Sequence, residues 1–198
     1  ARAAAGDLLT TVTVPVASSS CCGIGVAYDG SDILYTNYLD PTPNIYKTDL
    51  TGADNGSIAI IGASDCCNAI AYDASTTKLW GGSWSECDIY EIDLATGMAT
   101  LVHNNLLPCV FGFIDGLAWD PVADTLWWSD DVNDTVTEID KTTGGTIRTF
   151  SFSALTGSPC GNSGLAVGLD HTLFMGSNGC GTIYSADADS DPVTFLGS

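Results

Sequence analysis

The sequence repeats itself. Gly25-Val26-Ala27-Tyr28-Asp29 returns as Ala69-Ile70-Ala71-Tyr72-Asp73, as Gly116-Leu117-Ala118-Trp119-Asp120 and, more loosely, as Gly164-Leu165-Ala166-Val167-Gly168, with starts 44, 47 and 48 residues apart. A second motif keeps step: Ile45-Tyr46-Lys47-Thr48-Asp49, Ile89-Tyr90-Glu91-Ile92-Asp93, Val136-Thr137-Glu138-Ile139-Asp140 and Ile183-Tyr184-Ser185-Ala186-Asp187, with starts 44, 47 and 47 apart. Two motifs in step argue against coincidence. A period of this length makes each repeat one supersecondary unit that buries its apolar surface against its neighbours.

Each repeat holds four short β-prone runs. Between the two motifs lie Leu34-Tyr35-Thr36, Leu79-Trp80-Gly81, Leu126-Trp127-Trp128 and Leu173-Phe174-Met175. The first three repeats then show a Thr-Gly turn (Thr51-Gly52, Thr96-Gly97, Thr143-Gly144), and all four end in a further run: Ile58–Ile61, Thr100–Val102, Thr146–Phe152 and Val193–Leu196. Gly, Asp and Asn separate the runs, and no segment sustains a 3.6-residue period. Four strands per unit of 40–50 residues predict an all-β fold, a four-bladed β-propeller of four-stranded antiparallel blades. With strands labelled a to d from the axis outward, the first motif puts Gly or Ala at alternate positions of strand a, on one face near a crowded axis. A duplicated meander forming a sandwich is the competing architecture. The expected blades are approximately 21–64, 65–108, 109–159 and 160–198, preceded by an N-terminal segment, 1–20.

Composition agrees with a turn-rich β domain. Of 24 acidic residues only Glu86, Glu91 and Glu138 are Glu; the rest are Asp, which favours turns over helix interiors. The 198 residues carry five Lys and Arg, for a net charge of -19, a field that repels a phosphate backbone and argues against nucleic-acid binding. Apolar residues make up 45% of the chain, enough to build a core and too many for a disordered acidic tail. The apolar run Ile58–Ala63 is too short to span a bilayer. Residues 1–6 lack the apolar stretch of a signal peptide and fit a mature N-terminus.

Leu126-Trp127-Trp128-Ser129-Asp130, following Gly116-Leu117-Ala118-Trp119-Asp120-Pro121, resembles the YWTD and NHL class of propellers and is similar to the gluconolactonase-type and streptogramin-lyase-type propellers. The resemblance spans nearly the whole chain at the level of repeats. It implies the fold, with six or seven blades usual where this chain has four repeats.

One strand is left over. Thr11-Val12-Thr13-Val14-Pro15-Val16 precedes the first repeat and resembles a d strand, because Ser20-Cys21-Cys22 follows it as Asp65-Cys66-Cys67 follows Ile58–Ile61. It can add a fifth strand to the last blade, pair with a neighbouring molecule by β-augmentation through Thr11, Val12, Thr13, Val14 and Val16, or belong to a longer array. Pro15 lacks a backbone donor, which suits an edge. Self-association through this strand is the expected mechanism.

Eight cysteines and no CxxC point to structural disulfides in an oxidising compartment, and so to an extracellular or cell-surface protein. In an antiparallel meander the d–a and b–c connections share one end of the blade, which gathers all eight there. Cys67 with Cys87 and Cys160 with Cys180 stand 20 residues apart in equivalent places of repeats two and four, and are the expected pairs. Cys21, Cys22, Cys66 and Cys109 allow three connectivities.

The expected function is a secreted structural or interaction propeller that assembles into oligomers or filaments. A metal-dependent hydrolase or lyase of the lactonase type is the first alternative, and a calcium-dependent ligand- or glycan-binding module the second. For the first, the resemblance places Asp115 and Asp130 at carboxylate positions that hold a divalent metal in gluconolactonase-type propellers, while that family's N-terminal Glu ligand has no counterpart. No GxSxG, HExxH or P-loop pattern occurs, His171 falls in an a–b turn and His103 on a peripheral d strand. For the second, Asp187, Asp189 and Asp191 alternate in one turn and Asp130, Asp131 and Asp134 cluster in another, offering the oxygen ligands calcium takes. The competing reading is turn chemistry, since Asp49, Asp93, Asp140 and Asp187 recur at every c-strand end. Trp80, Trp84, Trp127 and Trp128 are candidates for a glycan surface. Trp127 and Trp128 point to opposite strand faces, so one of them is expected in the core.

Overall fold

The computed structural model describes residues 10–15, 23–37, 42–63, 66–83, 86–104, 106 and 114–198. Each repeat folds as one antiparallel meander. The first sheet is β1 (Gly23–Tyr28), β2 (Asp32–Asn37), β3 (Asn44–Asp49) and β4 (Asp54–Ala59). The second is β5 (Cys66–Asp73), β6 (Lys78–Ser83), β7 (Ile89–Ile92) and β8 (Ala99–His103). The third is β9 (Gly116–Asp120), β10 (Thr125–Asp130), β11 (Thr135–Asp140) and β12 (Thr146–Ser151). The fourth is β13 (Asn162–Val167), β14 (Thr172–Ser177), β15 (Ile183–Asp187) and β16 (Thr194–Gly197). The four sheets follow one another as the blades of a four-bladed propeller. One turn of helix, α1 (Phe152–Thr156), interrupts the pattern after β12. It escapes sequence reading because a single turn has no periodicity; its signal is local, the Ser151 hydroxyl accepting from Ala154 N as an N-cap and Gly157 closing the other end at φ 71°.

The Asp excess is spent where strands reverse. Asp49 Oδ1 accepts from Thr51 N and Ala53 N, Asp93 Oδ1 from Ala95 N and Thr96 N, and Asp140 Oδ1 from Thr142 N and Thr143 N. Asp29, Asp73 and Asp120 do the same at the a–b turns. A carboxylate two residues upstream satisfies amide donors that no strand can reach, which is why Asp, and not the longer Glu, fills these positions.

Each blade has a leading face toward the blade before it and a trailing face toward the blade after it. On the trailing faces a small residue of strand a pairs with a large residue of strand b: Ala27 with Leu34, Ala71 with Trp80, Ala118 with Trp127 and Ala166 with Phe174. Small side chains beside the axis leave room for large ones farther out, so the sheets splay. Three inter-blade cores result. Leu34 and Ile45 meet Ile70, Leu79 and Ile92; Trp80 and Ile89 meet Leu117, Leu126 and Trp128; Trp127 and Val136 meet Leu173, Met175 and Ala186. Trp127 and Trp128 are both fully buried, against the expectation of one, because a middle blade is covered on both faces.

β1 packs on β5, β5 on β9 and β9 on β13, but no contact of that extent joins β13 back to β1 among the described residues. Among the described residues the propeller therefore has three sealed junctions and one open seam. Residues 11–15 join no sheet; the strand expected at Thr11–Val16 does not form over Thr11, Val12, Thr13 and Val14, and Val16 lies outside the described residues. This segment instead passes the outer c–d turn of the first blade, where a Cβ on Gly52 would stand 2.9 Å from the Thr13 carbonyl oxygen. Among the described residues, no helix is long and apolar enough to cross a membrane.

Candidate functional site

The seam opens onto the axis as a cavity of about 330 Å³. Val26 stands on its first-blade side, Phe174 and Ile183 on its fourth-blade side, and Asp115 lies among its lining residues. The exposures of equivalent residues show what the seam leaves uncovered. Ile45, Ile89 and Val136 on the first three trailing faces are 0% exposed, whereas Ile183 on the fourth is 67% exposed. Val26 on the first leading face is 64% exposed, against 2% for Ile70 and 3% for Leu117 in the same place on the next two blades. Burying such side chains is the main stabilising term at each sealed junction, roughly 1.5–3 kcal/mol per large apolar residue.

An acidic cluster stands at the end of the axis that carries the cysteines. Asp115 immediately precedes β9, Asp130 ends β10 and Asp131 begins the following turn; one carboxylate oxygen from each lies within 4.8 Å of the others. The chain brings them together because strands a and b of one hairpin end side by side. Asp115 Oδ2 accepts from Asp131 N at 3.1 Å, Asp130 accepts from Val132 N and from the Asn133 side chain, and Asp131 Oδ2 accepts from Asn178 Nδ2 of the fourth blade at 2.9 Å. Burial, reinforced by the neighbouring charges of Asp131 and Asp130, pushes the Asp115 carboxyl up to about 7. Three carboxylate oxygens, one of them on a carboxyl that resists ionisation, are chemically suited to a hard cation, which would neutralise the repulsion.

The other expected ligands are used differently. Asp134 accepts from Ser153 N and from the Ser151 and Ser153 hydroxyls at the start of α1 and does not join the cluster; Asp115 takes its place. Asp187, Asp189 and Asp191 form no comparable group: Asp187 accepts from Asp189 N, Asp189 bonds His171, and Asp191 precedes Pro192. His171 lies in the a–b turn at the far end of the blade and bridges Asp189 and Asp120. His103 is 5% exposed on β8, stacks on Trp80 and has its Nε2 2.9 Å from the Lys141 carbonyl. Trp84 lies outside the described residues.

The cysteine pattern departs from spacing in one place. Cys160 and Cys180 are bonded, joining the d–a and b–c connections of the fourth blade. Cys67 does not reach Cys87: it bonds its neighbour Cys66, and the pair forms part of the first inter-blade core. Equal sequence separation misled because Cys67 has a nearer sulfur. The signal was Gly81, which stands where the third blade has Trp128 and the fourth has Met175; a Cβ there would lie 2.5 Å from Cys67 Sγ and 2.7 Å from Cys66 Sγ. Cys87 is also disulfide-bonded; Cys21, Cys22 and Cys109 lie outside the described residues.

No protein-family model and no curated protein matches the sequence. Solved structures do match. The chain is similar to a chain of the nidogen/laminin complex (TM-score 0.62, 15% identity, covering 83% of this chain and 59% of that one). It is similar to virginiamycin B lyase from Staphylococcus aureus, in a catalytically inactive form with quinupristin (TM-score 0.60, 17% identity, 93% and 58% covered). It is also similar to glutaminyl cyclase from Myxococcus xanthus (TM-score 0.59, 13% identity, 87% and 72% covered). At these identities the likeness establishes the propeller fold. The chain spans about three fifths of the length of the first two.

Proposed function

We propose that this protein is an extracellular interaction or structural module that works by presenting uncovered blade faces to another polypeptide. The observation that carries the reading is the contrast along one row of equivalent residues: Ile183 is 67% exposed where Ile45, Ile89 and Val136 are 0%. Exposed apolar surface of this kind, continuous with a cavity, marks association sites on soluble proteins. The disulfides support an oxidising compartment. Neither histidine lies in the acidic cluster, which speaks for the binding reading over a hydrolase or lyase. The test is an apolar fluorescent dye added to the chain at high dilution. The dye binds, and the double variant Val26→Asp/Ile183→Asp lowers its signal several-fold. Dye binding that ignores both substitutions would falsify the reading.

A second reading is cation-dependent binding, with calcium at Asp115, Asp130 and Asp131. It is favoured by the Asp115 carboxyl, whose burial among like charges is relieved by a cation. Millimolar calcium then raises the melting temperature of the parent and not of Asp115→Asn; equal responses remove this reading.

A further inference from the structure

We propose that the open seam is filled by a second copy of this chain, so that two copies close head to tail into one ring of eight blades. The inference rests on the reading that the uncovered blade faces are binding surfaces, and names their partner.

The fourth trailing face repeats the side chains of the sealed ones. Ala166, Phe174 and Ile183 stand where the third blade has Ala118, Trp127 and Val136, and those three are 4%, 0% and 0% exposed against the fourth blade. The first leading face does likewise, with Val26 and Tyr28 in the places of Leu117 and Trp119. The complement of any trailing face of this chain is thus a leading face of this chain, since three such contacts already exist within it. Among the described residues of one copy no contact like those of the sealed junctions joins the fourth blade to the first, and a cavity lies between them.

The outer edge of the first blade limits where a second copy can seat. At the first two internal junctions the end of the d strand runs past the c–d turn of the next blade: Ala59 lies against Gly97, and His103 against Gly144. Gly52 is the same turn in the first blade, and Thr13 lies against it from outside the sheets. The place that a preceding d strand would take is thus held by this chain's own Thr13, so an incoming blade has to meet the first blade on its leading face, where Val26 is exposed.

A contact between unlike faces is heterologous, and closes into a ring when its rotation permits. Two chains make eight blades, within the four to eight that propellers adopt. With each copy at -19, repulsion opposes the contact and screening by salt favours it.

The test uses the full chain in light scattering and sedimentation at up to about 100 μM protein. The expected result is a dimer that tightens as salt is raised. Ile183→Asp and Val26→Asp, both at exposed and therefore tolerant positions, each weaken it by on the order of a hundredfold. Mixing the two variants restores a mixed dimer, because one junction in that pair keeps both native faces. A monomer throughout overturns the proposal; dye binding by that monomer then leaves the faces open to a different partner, and its absence removes the underlying reading as well. A dimer sensitive to Ile183→Asp but not to Val26→Asp means that like faces meet, and overturns the head-to-tail arrangement. Masses that grow past two chains overturn the closed ring.

Discussion

His171 Nε2 of the fourth blade stands 2.5 Å from Asp120 Oδ2 of the third, while its Nδ1 bonds Asp189 beside it. Asp120 is fully buried, and its other oxygen accepts from Val122 N and Ala123 N, so one imidazolium ties the a–b turn of one blade to that of the next.

That tie makes the third junction sensitive to pH. Desolvation pulls the His171 pKa down, but the bond to Asp189 and the charge of Asp120 outweigh it and raise it above the usual value of 6.5. A raised folded pKa contributes stability that is complete below 6.5 and is lost as pH climbs through the folded value. The parent should therefore lose stability between pH 6 and pH 9 by about 1–2 kcal/mol more than His171→Asn, as read by chemical denaturation. Asn is chosen because His171 has φ 62° and Asn tolerates that left-handed backbone. Parallel pH curves for the two proteins would contradict the assignment.

Asp115 predicts a second slope. Its folded pKa of about 7 lies above the ordinary 3.8, so between those values the unfolded chain releases a proton that the folded one keeps. Stability contributed by Asp115 is complete below 3.8 and erodes up to about 7. Asp115→Asn should therefore be more stable than the parent at pH 8, with the gap closing toward pH 4 in the absence of divalent cations. A variant less stable at pH 8 would show that the carboxylate is held by compensating partners.

Lys141 reaches back across the second junction to Asp73, 2.9 Å away and 0% exposed, while also bonding Asp124 and resting over Trp119. Burial raises the Asp73 pKa, but Ser75 and Lys141 overcome it and hold the carboxyl down at about 2. Its contribution is present above 3.8 and lost as pH falls toward 2. Removing the cation leaves a buried carboxylate with fewer partners, so Lys141→Ala should cost about 3 kcal/mol at pH 7. Lys141→Ala/Asp73→Asn should recover much of it. No recovery in the double variant would place the cost elsewhere.

Gly81 and the Cys66–Cys67 disulfide share one space. Gly81→Ala should destabilise the parent by about 1–3 kcal/mol through overpacking. In a Cys66→Ala/Cys67→Ala background the same substitution should cost less, because the sulfurs that it strikes are gone. A double-mutant cycle measures the coupling, and strict additivity would separate the glycine from the disulfide.

Much of the architecture was legible because it is written in local periods. Alternating small residues on strand a, a large residue opposite them and an Asp at each reversal need only nearest neighbours to act. The Asp115–Asp130–Asp131 cluster was partly legible for the same reason, being the open end of one hairpin. Asp134 and Asp187 were misleading because carboxylates in turns look alike in sequence, and only neighbouring donors reveal whether their oxygens are spent. The Cys66–Cys67 bond was obscured because spacing counts residues and not the room that Gly81 provides.

The sequence by itself determined the repeat, the four-stranded blade and the side chains that each face carries, since these follow from a strand's period of two and from turn chemistry. Only the tertiary structure decided that six of the eight blade faces meet in three junctions and that, among the described residues, the outer two do not. Whether a row of Ala, Phe and Ile is core or open surface depends on what lies a blade's width away, and among the described residues no extensive contact brings the fourth blade back to the first.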